Sequence, residues 1–150
     1  MRRNEKEIQD KSEIEKILNR ARVCRLGMVD RDTPYVVPLN FGYADGVLYF
    51  HSAKQGRKID LITRNPRVSF EVDELIGLKK AGQACDWGAS FKSVIGFGRA
   101  GFIETAEGKK NALDIIMAQY SGRSFSYPDE MLERTAVIRV DIEEMTGKQG

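Results

Sequence analysis

The sequence has one histidine, one tryptophan and two cysteines, and each scarcity removes a class of function. A lone histidine cannot build a multi-histidine metal centre, and no nearby residues complete a metal set or a Ser-His-Asp arrangement around His51, so no metal is expected. Cys24 and Cys85 stand far apart, with no C-x-x-C pair and far below the cysteine density of a secreted disulfide scaffold. A reducing, cytoplasmic setting is expected. No apolar run approaches the roughly 18 residues that a membrane helix needs, and the N-terminal MRRNEKEIQDKSEIEKIL has no apolar signal core, so neither insertion nor export is expected. Excess charge is missing too. The 24 Lys+Arg and 22 Asp+Glu leave a net charge of only +2, which does not signal a nucleic-acid-binding surface. No Walker loop and no G-x-G-x-x-G fingerprint is read, which removes support for nucleotide hydrolysis and for Rossmann dinucleotide binding.

What is present reads as one domain over residues 1–150, with an N-terminal helical segment at 1–21. Within that segment Ser12 and Glu15 form an S-x-x-E capping box, and Ile14, Ile17, Leu18 and Ala21 share a face. Residues 23–29 are β-like. Tyr35, Val37, Leu39 and Phe41 alternate along a strand whose two faces both read as covered, with Pro38 marking an edge, a bulge or a gap facing a ligand. Asp45-Gly46 then separates this run from 47–52 as a hairpin turn. A short helix follows at 56–64, stopped by Asn65-Pro66, and residues 67–73 alternate as a strand. Residues 74–90 have no clear periodicity and read as a long loop, with Trp87 as either a core plug or a lid. Residues 91–105 are the longest β-like run, with glycines that suggest the bending of a small barrel. Thr105 caps a second amphipathic helix through Leu113, Ile116, Met117 and Tyr120. Ala136, Ile138, Val140 and Ile142 alternate in a closing strand. Six β segments and three helices without βαβ alternation predict a mainly β protein, an antiparallel barrel with peripheral helices.

The stretch LYFHSAKQGRKIDLI, residues 48–62, changes from strand to helix. On a strand, His51 and Ser52 point to opposite faces. Free N–H groups at the helix start, the Ser52 hydroxyl, Arg57 and Lys58 can nevertheless converge on one oxyanion, making a phosphate site without a Walker loop.

The blocks PYVVPLNF, DGVLYFHSAKQGRKIDLI, NPRVSFEVD, SFKSVIGFGRAGFIE and a terminal TGK together resemble the pyridoxamine-5′-phosphate-oxidase-like flavin-binding split barrels, and within them the nitroimidazole-reductase-like branch. The resemblance runs from about Arg20 to Lys148. It implies a six-stranded split barrel that forms a homodimer, with FMN, or alternatively FAD, at the subunit interface. It further implies that Val37, Pro38, Leu39 and Asn40 border the flavin ring, that His51 and Ser52 lie beside it, and that Lys58 with Arg57 grips the phosphate. Ser90, Phe91, Lys92, Ser93 and Val94 would approach the flavin, from the partner subunit. The implied activity is reduction of a small nitroaromatic or quinone-like acceptor with electrons from a nicotinamide donor, with His51 as the candidate catalytic residue. A flavin-binding redox sensor or store without turnover, and a haem-binding split barrel using His51, are the alternatives. The TGKQG terminus lacks counterparts of the arginine and lysine residues that hold a pyridoxine-type phosphate, so vitamin B6 oxidation is not expected.

Overall fold

Asp45 and Gly46 turn the chain with φ of 49° and 79°, the two positive values that a type I′ hairpin requires. The turn joins β4 (Gly42–Ala44) to β5 (Val47–Ala53), which pair antiparallel as expected. The structure is a computed structural model describing residues 4–150, so residues 1–3 of the expected N-terminal segment lie outside the described residues. Around that hairpin the strands β1 (Glu7–Ile8), β2 (Cys24–Asp30), β3 (Thr33–Leu39), β6 (Arg67–Lys79), β7 (Gly88–Ile103) and β8 (Thr135–Gln149) complete one antiparallel sheet. Its order is β3-β2-β6-β7-β8-β5-β4, with β1 added on β8. The sheet is mainly antiparallel β with peripheral helices, and it does not close between β3 and β4. This is the split-barrel arrangement.

The sheet has eight strands, two more than the six expected. One addition is the two-residue β1, and the other comes from a break at Asn40-Phe41. There the Phe41 N–H leaves the ladder and donates to the Tyr120 hydroxyl at 3.0 Å, so the expected continuous strand becomes β3 and β4. The expected loop over 74–90 is mostly β-ribbon, because β6 runs to Lys79 and β7 begins at Gly88. Leu75, Ile76 and Leu78 are about 60% exposed there, so the ribbon covers no core and shows no apolar alternation. Trp87, at the ribbon tip, is half exposed and donates its indole N–H to the Ala81 carbonyl at 2.6 Å; it is not a core plug. β3 is a sheet edge with Val36 59% exposed, which corrects the expectation of two covered faces and accounts for Pro38.

The barrel interior is filled by Leu26, Leu48, Phe50, Phe70, Val94 and Ile138, all essentially without exposure. Gly96 lets β7 approach that core closely, since a Cβ there would clash with the Phe70 ring and lie 2.6 Å from the Glu144 carbonyl. Gly96, Gly98 and Gly101 do reproduce a G-x-G-x-x-G spacing, but inside a continuous strand rather than at a strand-to-helix turn. No dinucleotide cradle follows from them. Helices α1 (Lys11–Arg20), α2 (Arg57–Arg64), α3 (Ala106–Ala118) and α4 (Asp129–Arg134) surround the sheet. α1 buries Ile14, Ile17 and Leu18 as its stripe predicts, but its cap is Asp10, which accepts from the Ser12 N–H at 2.8 Å. Ser12 is therefore inside the helix and not its cap. Thr105 caps α3 as expected, accepting from the Gly108 N–H. α4 was not expected; with α3 it covers Val137 on the outer face of β8. No described helix is long and apolar enough to cross a membrane.

A polar latch ties the end of α3 to the end of α1. The Gln119 amide is buried, and its Nε2 donates to the carbonyls of Leu18 at 2.7 Å, Ala21 at 2.8 Å and Asn19 at 3.1 Å. The Tyr120 hydroxyl donates to the Arg22 carbonyl at 2.7 Å, and the Arg22 guanidinium donates to the Gln119 carbonyl. Gln119→Leu strands buried acceptors and should cost about 2 kcal/mol. Thermal unfolding should then show Tm lower by roughly 4–8 °C; an unchanged Tm would show that the latch is not needed.

Candidate functional site

Two free strand edges meet at the open end of the barrel. β5 pairs with β8 along its whole length but with β4 only over its first three residues, Val47, Leu48 and Tyr49. Phe50, His51, Ser52 and Ala53 are therefore left without a partner strand on one side. β3 ends the sheet and offers the second free edge. The junction between β5 and α2 lies beside β3, because the Arg57 guanidinium carbon sits 4.4 Å from the Tyr35 ring centroid.

Leu48 and Phe50 enter the core, which fixes the phase of β5. Tyr49 and His51 consequently take the outer face. His51 is exposed and registered opposite Val137. Ser52 takes the inner face, half-buried, with its hydroxyl donating to the Ala53 carbonyl at 2.9 Å and its oxygen open to donors. The structure thus separates the side chains of His51 and Ser52. Gly56 then enters α2 at φ 131°, a conformation in which any side chain is strained. No side chain caps the helix. Its first N–H groups are therefore available to a ligand, together with the positive end of the helix dipole.

Arg57 and Lys58, neighbours with the same charge, have different fates because successive helical residues are turned by about 100°. Arg57 faces outward, where its Nη2 lies 3.1 Å from Asp30 Oδ2 and its guanidinium covers Tyr35. Arg64 also reaches Asp30, at 3.8 Å. Lys58 falls on the face of α2 that buries Leu61 and Ile62. It is half-buried, and among the described residues no carboxylate or hydrogen-bond acceptor partners its ammonium. Burial holds the Lys58 pKa below the ordinary lysine value by stripping water from the charged form. The pair expected to act together is therefore split into a tethered arginine and an unpaired lysine.

The remaining expected residues are distributed as follows. Val37 and Leu39 pack toward the core from β3, whereas Pro38 is on the outer surface opposite Arg25. The Asn40 amide is taken up by the Tyr120 hydroxyl at 3.3 Å and the Arg22 carbonyl at 3.4 Å. Ser90, Phe91, Lys92, Ser93 and Val94 lie on β7, with β6 and β2 between them and β3. Val94 is in the core, and Phe91 exchanges backbone hydrogen bonds with Gly150 at 3.0 and 3.1 Å. One chain does not bring this block to the corner. Tyr35 and Asp30 were not singled out beforehand, since nothing in an alternating strand or a polar turn marks which residue will hold Arg57. Burial pushes the Cys24 thiol up to about 12, so it is no nucleophile at neutral pH.

Because the unfolded chain releases the Lys58 proton only in the ordinary lysine range, the charged side chain opposes folding at neutral pH. That penalty is relieved as pH rises through its lowered folded value. Lys58→Met should therefore raise the Tm of flavin-free protein at pH 7, and the gain should shrink toward about pH 10. A lowered Tm, or a gain independent of pH, would contradict an uncompensated charge.

The family model described as pyridoxamine 5′-phosphate oxidase matches residues 10–149. No curated protein gives a significant match. Among solved structures, a protein designated a 5-nitroimidazole antibiotic resistance protein, from Bacteroides thetaiotaomicron VPI-5482, is 40% identical with a TM-score of 0.85, over 95% of this chain and 86% of that one. An FAD-binding protein from Mesorhizobium loti is 30% identical with a TM-score of 0.70, over 94% of this chain and 95% of that one. A flavocytochrome from Azotobacter vinelandii, at 24% identity, shares the fold with a TM-score of 0.87, over 100% of this chain and 72% of that one.

Proposed function

Because the chain belongs to the pyridoxamine 5′-phosphate oxidase family, we propose that it binds a flavin nucleotide at the junction of β5 and α2 and reduces a small nitroaromatic or quinone-like acceptor. The observation that carries this reading is Lys58, a desolvated ammonium with no counter-ion at an uncapped helix start. A phosphate dianion supplies the missing charge, accepts from the free N–H groups and would draw the Ser52 hydroxyl hydrogen away from the Ala53 carbonyl that it now serves. Arg57 is placed to join it by leaving Asp30, an exposed ion pair of the kind worth only about 0–1 kcal/mol. The flavin ring would then lie along the free edges of β3 and β5, bordered by Val37, Pro38, Leu39 and Asn40 on one side and by His51 on the other.

A bound flavin would supply the redox chemistry between a nicotinamide donor and the acceptor. The protein positions the ring and shields one face. His51, exposed beside the edge, orients the ring or donates a proton to the reduced acceptor.

A second copy of the chain belongs to this reading. The outer face of β2, β3, β6 and β7 exposes Val29, Val36, Ile95 and Phe97 by 41–59%, around a notch of about 280 Å³ floored by Gly27 and Ser69. Such an apolar face on adjacent strands suits a homodimer, and the partner would bring its own Ser90–Val94 block toward the flavin.

Lys58→Ala should weaken FMN by about tenfold or more, the loss of one charge-assisted hydrogen bond, and leave riboflavin nearly unaffected. Equal weakening of both ligands in a fluorescence titration would place Lys58 elsewhere. Anaerobic NADH or NADPH should bleach the flavin-loaded protein at catalytic rates. A flavin that stays yellow with both donors would leave only a redox sensor or store. Light scattering should give twice the mass of the chain, reduced to one by Phe97→Asp; a wild-type monomer would remove the shared site.

A further inference from the structure

Ile59 and Thr63 lie on a different face of α2 from Lys58 and line a separate cavity of about 260 Å³. The end of β7 and the start of β8 close it, with Phe102 and Val137 joining Ile59 in an apolar wall. Lys109 of α3 also reaches the cavity, and the exposed side chains of Lys54 and Glu104 stand at its rim.

Lys109 is the least ordinary of these groups. It is only 5% exposed, and its ammonium donates to the carbonyls of Leu132 and Thr135, both at 2.8 Å. An ammonium has three hydrogens. Among the described residues, the third finds no acceptor and no carboxylate comes within ion-pairing distance. Glu104, Asp129 and Glu133 line a cleft on the α4 side of Lys109, but all three are exposed, where water and salt screen them. A buried ammonium held by neutral carbonyls alone keeps an unmet demand for negative charge. The two threonine hydroxyls of the cavity are already committed, Thr63 to the Ile59 carbonyl at 2.8 Å and Thr135 to the Met131 carbonyl at 2.7 Å. Recognition of an acid here therefore falls to the lysines.

We propose that this cavity is a binding site for a small monocarboxylic acid with an aromatic or branched apolar body, a ligand independent of the flavin. The carboxylate accepts the third Lys109 hydrogen and faces Lys54, while the body packs on Ile59, Phe102 and Val137. Each part of the cavity narrows the class. The apolar wall has nothing to offer a bare inorganic anion, and the buried ammonium has nothing to gain from a neutral body. Glu104 at the rim repels a second negative charge, which disfavours a phosphate ester or a dicarboxylate. The volume lies at the low end of small-molecule sites, about 300–1,000 Å³, so the body is a single ring or a short branched chain.

Calorimetric titration of the flavin-free protein with benzoate tests this, with benzamide as the neutral isostere and acetate as the acid without a body. Benzoate should bind with a Kd of about 1 mM or tighter, and benzamide and acetate about tenfold more weakly or worse. Thr63→Phe, which fills the cavity from an exposed position, should abolish benzoate binding, and Lys54→Ala, in the loop before α2, should weaken it severalfold. An excess of FMN should leave the benzoate Kd unchanged. Equal affinities for benzoate and benzamide, no benzoate binding, or benzoate binding that survives Thr63→Phe or is unchanged in Lys54→Ala would overturn the proposal and leave Lys109 as a cap on α4 alone. Displacement of benzoate by FMN would overturn it too, by placing the acid at the Lys58 corner. Failure of FMN to bind at all would overturn only the flavin reading.

Discussion

A lysine ammonium drawn out of water without a counter-ion costs free energy, and the corner between β5 and α2 is organised around one. Leu61 and Ile62 anchor α2 on the sheet, and the same helical phase directs Lys58 inward. Gly56 supplies a backbone turn that ends without a capping side chain. The helix therefore presents bare N–H groups beside an unpaired cation. Arg57, one residue earlier, shows what the alternative looks like, with Asp30 and Tyr35 satisfying it from outside. A chain selected for stability alone would have given Lys58 a carboxylate too. Leaving it unpaired supports the proposal that the site receives an anion.

The open barrel makes that corner accessible. A closed sheet would join β3 to β4 and leave no unpaired edge. Here the chain leaves the ladder at Asn40-Phe41, where the Tyr120 hydroxyl takes over the Phe41 N–H, so β4 reaches only the first residues of β5. The latch at Gln119 and Tyr120 holds the bend in place from α3. Close packing at Gly96 draws β7 over Phe70, so a sheet with one gap still encloses a dry core.

The features readable in the sequence were those set by local chemistry. Asp45-Gly46 demanded positive φ at both positions, Thr105 offered a cap, and the stripes of α1 and α3 had one apolar face each. Those elements formed where their residues predicted. The ribbon beyond Asp73 was not readable, because its strands pair with each other and cover nothing, so Leu75, Ile76 and Leu78 carry no alternation. α4 is too short for a periodic signal. The cap of α1 went to Asp10 because an aspartate two residues earlier competes with Ser12 for the same role. At the site, the cluster of Ser52, Arg57 and Lys58 was visible as composition. The division of labour between the two cations was not, since it depends on Asp30 and Tyr35, which reach Arg57 only through the fold.

The central claim is that a phosphate group completes the charge of Lys58. A crystal structure of the protein soaked with FMN tests it most directly. The account predicts phosphate density within hydrogen-bond distance of Lys58 Nζ and of the first N–H groups of α2. Flavin density elsewhere on the molecule, with Lys58 still unpartnered, would contradict it.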